Sequence, residues 1–293
     1  TNIQNKNFTW SSSFNIAFNK NKILSLNYGQ EQMTSYISWD QKFRNQIAYV
    51  SRVGESAGKM YGFVYDGTYK EEDFNITVNE NGKKTYELKP GVPKFKDGCQ
   101  PGDPKYKNID GSEDNLITDN DRTVIGNGHP LHTGGFTNNF VYKNWDLNIF
   151  LQWSYGNDVF NVNRLVMENP GAKKQLNQFA SYKNRWSESN PTSNIPRVRA
   201  VGADEYSSLY VEDGSFLKLK TISLGYNFDT KTLKRIGLSA ARVFVSAENI
   251  ATITGYSGSD PEVSTRHSVL TPGFDWSAYP RAFNASLGVN VTF

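Results

Sequence analysis

The chain has 293 residues, of which 37% are hydrophobic and 14% aromatic, with a mean hydropathy of −0.59 and a net charge of +3. It contains no run of 18 apolar residues, which excludes a membrane-spanning helix but leaves a membrane β-barrel open, because barrel strands carry a weaker signal. The small charge gives no argument for nucleic-acid binding, and the single cysteine, Cys99, excludes an internal disulfide.

Alternating side chains predict a first strand over residues 8–18. Phe8, Trp10, Phe14 and Ile16 fall on one side of it, and mostly small or polar residues fall on the other. A short turn at 19–22 follows. The next segments with strand character are 23–28, 46–53 and 59–65, the last two flanking a tight turn at 54–58.

Further along, strands are predicted over 136–142 and 145–155, joined by the two residues 143–144. A strand starting near Phe216 places Ile222, Leu224 and Tyr226 on one face but Leu217 and Leu219 on the opposite face. This change of phase predicts either a bulge or a strand that leaves the bilayer above Thr221. A penultimate strand is predicted over 242–248.

The last strand, 283–293, shows the pattern most clearly. Its apolar side carries Phe283, Ala285, Leu287, Val289, Val291 and Phe293, and its other side is small and polar. In a barrel the apolar side meets lipid and the polar side meets the lumen, although an edge strand of a soluble sandwich alternates in the same way.

The connections decide between these readings. Short connections near 19–22, 54–58 and 143–144 and a moderate one at 229–240 alternate with long polar ones near 29–45, 66–132, 156–214 and 252–282. Short turns on one side of the membrane and long extracellular loops on the other give this rhythm. We therefore predict an all-β chain: about nine strands of a larger antiparallel transmembrane β-barrel.

Several motifs carry a family resemblance. They are the segments 54–62, 125–130 with Gly134 and Gly135, 155–161, 215–226, 247–249, 256–263 and 279–281. With these motifs the chain resembles, over nearly its whole length, the SusC/RagA-type TonB-dependent transporters of Bacteroidetes.

The resemblance implies a plugged barrel of about 22 strands in the outer membrane, of which this chain is the C-terminal part. The N-terminal plug, the TonB-contacting segment and the first strands are expected to lie outside this sequence. It also implies a SusD-like surface lipoprotein that covers the extracellular loops as a lid. Together the two proteins would import oligosaccharides or oligopeptides, driven through TonB.

The segment 110–121 predicts a loop of the EF-hand type that binds Ca²⁺. Oxygen ligands are required at its positions 1, 3, 5, 7, 9 and 12, which are Asp110, Ser112, Asp114, Leu116 through its backbone carbonyl, Thr118 and Asp121. Ile117 is the apolar anchor. Asn115 replaces the usual glycine and Asp121 the usual glutamate, so an acidic turn without metal is the alternative.

Substrate contacts are predicted in the long loop 156–214. Aromatic and amide side chains suit sugar binding, and the candidates are Phe160, Asn161, Tyr182, Trp186, Tyr206 and Tyr210. The alternative is that they form a small core of that loop. Lys218 and Lys220 are expected at the outer end of their strand, facing either lipid phosphates or a solvated rim.

Catalysis has no support in the sequence. The three histidines show no H-E-x-x-H arrangement, and Ser257 does not stand in a G-x-S-x-G turn. The chain is predicted not to be an enzyme. Besides the transporter, a passive porin or barrel adhesin and a secreted carbohydrate-binding β-sandwich stay open as alternatives.

Overall fold

The computed structural model describes residues 1–169 and 175–293. The strands in that part of the chain are β1 (Ile3–Gln4), β2 (Phe8–Ala17), β3 (Gln32–Tyr36), β4 (Ile47–Arg52), β5 (Lys59–Phe63), β6 (Tyr65–Thr68), β7 (Phe74–Val78), β8 (Lys84–Leu88), β9 (Pro104–Tyr106), β10 (Arg122–Asn127), β11 (His132–Tyr142), β12 (Trp145–Tyr155), β13 (Asp158–Asn161), β14 (Val211–Asp213), β15 (Phe216–Asn227), β16 (Ala240–Thr254), β17 (Phe274–Asp275) and β18 (Asn284–Thr292). Two short α-helices are present, α1 (Val162–Met167) and α2 (Thr230–Lys234), together with five 3₁₀ turns. Within the described ranges, no helix is long and apolar enough to cross a membrane.

The largest sheet has seven strands in the order β1-β2-β11-β12-β15-β16-β18, and every neighbouring pair is antiparallel. Its connections alternate between the two ends. At one end, which we call the short-connection end, the strands are joined by residues 5–7, 143–144 and 228–239. At the opposite end, which we call the long-connection end, they are joined by residues 18–131, 156–215 and 255–283. The predicted alternation of short and long connections is present from β11 onward, but the predicted connections 19–22, 29–45 and 54–58 all lie within the one long connection 18–131.

The two faces of this sheet differ, as the alternation predicted. On β12, Leu147, Ile149 and Leu151 share a face, and the register places Leu224, Ile222 and Leu219 of β15 beside them. The same face of β18 carries Leu287, which is 78% exposed. Such exposure means that no second sheet covers this apolar face in the described part of the chain. The sandwich alternative required such a cover.

Aromatic side chains mark both ends of the apolar face. Near the short-connection end the rings of Trp145 and Tyr226 lie 4.8 Å apart. Near the other end Phe14 stacks on Trp153 at 5.4 Å. Aromatic rows of this kind flank the lipid-facing band of membrane barrels.

A bulge explains the change of phase in β15. Thr221 lies opposite Phe150 and Leu219 lies opposite Leu151, so Lys220 is an extra residue in β15. This extra residue brings Leu217 and Leu219 onto the apolar face with Ile222. The predicted bulge is therefore confirmed, and β15 continues past Thr221 within the same sheet.

Three predicted strands do not belong to this sheet. Segment 23–28 forms no strand and runs into a 3₁₀ turn, in which Tyr28 has a φ of 57°. Segments 46–53 and 59–65 do contain strands, but β4 and β5 pair in a separate four-stranded sheet, β10-β5-β4-β3. Ala48, Tyr49, Val50 and Ser51 are buried in succession, so both faces of β4 are covered by protein. In the described residues the largest sheet, which we call the wall, therefore has seven strands and not about nine.

The long connections pack together into one region beyond the long-connection end. Its main core contains Phe43, Tyr49, Met60, Phe160 and Phe274, drawn from all three long connections. A three-stranded sheet, β14-β13-β17, joins the second and third connections, with β13 and β17 parallel. We call this packed assembly the loop region.

Candidate functional site

The polar face of the wall meets the loop region at a cluster of four charged side chains. Lys218 of β15 is only 2% exposed, and its Nζ lies 3.3 Å from Asp260 Oδ1 and 3.0 Å from Glu262 Oε2. Arg281 Nη1 reaches Glu262 Oε2 at 2.6 Å. A buried ammonium group requires such partners, because transfer of a lone charge out of water is costly. The cluster fixes the third long connection, 255–283, against β15.

The bulge supplies a second attachment for the same connection. Asn249 of β16 has a φ of 53°, a conformation that asparagine tolerates better than most residues. Lys220 Nζ donates to Asn249 Oδ1 at 3.0 Å, and Asn249 Nδ2 donates to the carbonyl of Ala282 at 3.0 Å. Lys218 lies on the polar face, and both lysines bind other side chains of the protein. The expectation of lipid phosphates or a solvated rim is wrong for Lys218, which is buried.

Glu212 of β14 ties the second and third long connections together. Its carboxylate accepts from Ser257 N and Ser257 Oγ, each at 2.8 Å, and pairs with Arg164 Nη1 at 3.1 Å. Burial raises the pKa of Glu212, but the hydrogen bonds from Ser257 and the charge of Arg164 outweigh it, so the net pKa lies below its usual value. Arg164 also pairs with Glu168 at 3.0 Å.

Close to the short-connection end, the polar face carries an ion pair between β12 and β16, which reaches across β15. Arg242 Nε donates to Asp146 Oδ1 at 3.1 Å, and Arg242 Nη2 donates to Asp146 Oδ2 at 2.5 Å. The guanidinium lies flat over Gly225, where a Cβ atom would come within 2.3 Å of Nη2. The pair fixes two charges on a surface of amides and hydroxyls.

Most of the predicted substrate residues are buried in the loop region. Phe160, Tyr206 and Tyr210 belong to its main core. The hydroxyl of Tyr206 accepts from Trp39 Nε1 at 2.7 Å, and that of Tyr210 donates to Ala203 O at 3.1 Å. These three residues therefore pack in a core of the loop region, which was the alternative to substrate contact.

The other three candidates are also in contact with protein. Asn161 is buried, and its Nδ2 donates to Glu212 Oε1 at 3.0 Å. Tyr182 is buried, and the half-buried Trp186 lies over Gly102, where a Cβ would clash with the indole. In this structure none of the six side chains forms an open aromatic surface for a sugar.

The predicted calcium loop has the expected backbone but closes on itself. Asn115 has a φ of 54° and Ile117 is buried beside Phe63 and Tyr106, as a loop of this type requires. Asp121 is fully buried and accepts from the N–H groups of Ile109 and Thr118, at 2.7 and 2.8 Å.

Two further candidate ligands of this loop bond to each other. Ser112 Oγ donates to Asp114 Oδ1 at 2.8 Å, and Asp110 Oδ1 accepts from Ser112 N at 2.8 Å. Nowhere in residues 1–169 and 175–293 do three His, Cys, Asp or Glu side chains form a group that could hold a metal ion. Binding of Ca²⁺ stays a prediction.

Sequence reasoning assigned no role to the charged cluster at Lys218. The signal was present in part, because Asp260, Glu262 and Arg281 all lie in motifs that carry the family resemblance. What the sequence lacked was the path of the connection, since Lys218 and Asp260 are 42 positions apart.

We compared the chain with known protein families, sequences and structures. No protein-family model matches the chain. The TonB-dependent receptor P3 of Formosa agariphila is 33% identical over 297 residues, which cover 100% of this chain and 27% of the receptor. The TonB-dependent receptor SusC of Bacteroides thetaiotaomicron is 28% identical over 300 residues, or 99% of this chain and 25% of SusC.

The chain is similar over its whole length to SusC-type TonB-dependent receptors. A solved structure of the RagAB peptide transporter superposes with a TM-score of 0.71 at 21% identity, covering 99% of this chain and 28% of that one. The predicted fold, a portion of a larger β-barrel, is confirmed, as is the predicted location in the outer membrane. The relatives named here are receptors and transporters, and none is an enzyme. The chain spans about a quarter of the length of the curated relatives it matches.

Proposed function

We propose that this chain forms part of the wall and extracellular loops of an importer that takes up oligosaccharides or oligopeptides together with a SusD-like surface lipoprotein. The observation that carries the proposal is the two-faced wall: an exposed apolar face for lipid, and a polar face bound by Lys218 to a packed loop region. The similarity to TonB-dependent receptors and to RagAB supports it.

The loop region suits a protein partner better than direct sugar stacking. Its aromatic residues lie mainly in the cores, and the second and third long connections are held together by Glu212 and Ser257. A rigid platform of this kind offers a lid protein a defined surface. Energy from TonB would act through parts of the importer that do not lie in this sequence.

Uptake by cells tests the proposal. Cells carrying the full-length protein and its neighbouring lipoprotein should accumulate labelled oligopeptide or oligosaccharide, and lose this uptake when TonB is deleted. Uptake that persists without TonB would support the passive porin instead. Co-purification of the lipoprotein with the full-length protein tests the partner, and a protein that purifies alone with full uptake would remove the lid from the proposal.

We also propose that the loop 110–121 binds Ca²⁺, with oxygens supplied by Asp110, Ser112, Asp114, Leu116, Thr118 and Asp121. The left-handed backbone of Asn115 and the buried anchor Ile117 support it. The ion would hold the loop together, and no transport step depends on it.

A further inference from the structure

A cavity of about 670 Å³ lies at the long-connection end of the wall, just beyond the end of β2. The cavity is lined on three sides: by the segment that leaves β2, by the turn between β4 and β5, and by the residues that lead into β11. The functions proposed above make no use of this cavity, which we call the rim cavity.

Hydrogen bonds hold the segments that line the rim cavity in place. Asn21 Oδ1 accepts from Ala57 N at 2.9 Å and from Ser56 Oγ at 3.0 Å. Ile23 N donates to Glu55 O at 2.9 Å, and Gly54 N donates to Ile23 O at 2.8 Å. The segment after β2 is therefore fixed against the β4–β5 turn, and the rim cavity does not depend on a loose loop.

The lining is cationic. Lys20, Lys22 and Lys59 face one carboxylate, Glu55, which pairs with Lys59 at 3.0 Å. Three positive charges less one negative charge leave a surplus of two. In the described part of the chain neither Lys20 nor Lys22 forms an ion pair, and both are exposed. This surplus favours an anionic ligand.

The side of the rim cavity nearest the sheet is apolar and continues the lipid-facing surface. Phe18 directly follows β2, is 72% exposed, and has its ring 5.6 Å from that of His132, which lies at the start of β11. Leu131 lines the cavity as well and is 63% exposed. An apolar wall next to lipid and ammonium groups above it match a ligand with acyl chains and an anionic head.

We propose that the rim cavity binds the phosphorylated sugar headgroup of an outer-leaflet glycolipid. Lys20 and Lys22 would contact its phosphate, while Phe18 and Leu131 contact the first part of its acyl chains. A free phosphate shares the charge but would gain nothing from the apolar wall, whereas the lipid uses both. The membrane face of the wall ends at this point, so the ligand would reach the cavity from the bilayer.

The test uses the full-length protein in detergent and native mass spectrometry with diphosphorylated lipid A. The double variant Lys20→Gln with Lys22→Gln should bind the lipid about 30-fold more weakly, at about 1 kcal/mol per lysine. The matched control is Lys231→Gln with Lys234→Gln in α2 at the short-connection end, which should bind like wild type. Phe18→Ser should also weaken lipid binding while leaving the lysines in place.

Three results would overturn the proposal. The first is equal lipid binding by the double lysine variant and its control. The second is equal binding of dephosphorylated lipid A by the wild-type protein. The third is complete competition by inorganic phosphate together with no effect of Phe18→Ser, because the cavity would then be a site for any small anion.

Discussion

Lys218 Nζ lies 3.3 Å from Asp260 Oδ1, and this contact joins the wall to a connection that returns to it through Arg281. Substitution Lys218→Met should leave Asp260 with its weaker contact to Arg281, at 3.9 Å, as its only remaining ion pair in the described residues. Removal of one partner of a buried pair costs about 3 kcal/mol or more. We expect residues 255–283 to become sensitive to thermolysin on intact cells. The exposed Lys231→Met is the control, and equal protection of the two variants would contradict a structural role for the cluster.

The link between Glu212 and Ser257 should depend on pH. Because the pKa of Glu212 is lowered in the folded state, its contribution to stability is present above the unfolded value of 4.5 and is lost as the pH falls through the lower folded value. Glu212→Gln should therefore be less stable than wild type at neutral pH, and the difference should narrow in acid. Thermal unfolding from about pH 7 to about pH 3 measures this. A difference that stays constant over that range would show that Glu212 acts by packing and not by charge.

Gly62 of β5 tests the packing of the loop region. A Cβ atom there would come within 2.3 Å of the carbonyl oxygen of Tyr206, and Phe63 N donates to the same oxygen at 3.0 Å. Gly62→Ala should destabilise the protein by about 3 kcal/mol, as overpacking does. Gly255→Ala is the control, since a Cβ at Gly255 meets no atom within 4 Å. Calorimetry of both variants measures the loss of stability. An unchanged stability of Gly62→Ala would mean that β5 can move away from the carbonyl of Tyr206.

The two faces of β18 should respond differently to a charge. Leu287 lies on the apolar face and Ser286 on the polar face, where they pair with Val245 and Ser246. Leu287→Arg should cost about 2–4 kcal/mol at the centre of a bilayer, and Ser286→Arg much less. Urea unfolding of the full-length protein in lipid vesicles gives both values. Similar values for the two variants would argue that lipid does not meet the Leu287 face.

Addition of Ca²⁺ should raise the thermal midpoint if the loop 110–121 binds it. An ion present at 100 times its dissociation constant contributes about 2.7 kcal/mol. Asp114→Asn should abolish the shift, whereas Glu113→Gln, which alters no predicted ligand, should retain it. No shift in the wild-type protein would leave the loop as an acidic turn closed by Asp121.

Alternation of side chains was enough to predict the wall. The strands containing Phe14, Phe140, Leu147 and Leu287 were placed correctly, because a sheet between lipid and a polar lumen imposes the same period of two on every strand. The same criterion failed for β4. Its run of buried residues has strand propensity, yet propensity does not say which sheet a strand joins.

The candidate site was harder to predict for a related reason. Glu212 and Ser257 are 45 positions apart, and their contact depends on how two long connections fold over each other. Aromatic residues such as Phe160 and Tyr206 suggested a binding surface, but a loop region of this size needs a core of its own. Composition alone cannot distinguish these two uses of an aromatic ring.

The bulge at Lys220 sets which face each residue of the upper half of β15 occupies. Upstream of it, Leu217 and Leu219 keep their outward orientation only because one residue is looped out of the pairing with β12. Pairing Lys220 in register with β12 would instead turn the upper half of the strand inside out, exposing Lys218 to hydrocarbon and leucines to water. Deletion of Lys220 itself would keep both halves of the strand in phase, so at this position β15 can lose a single residue without exchanging its two faces.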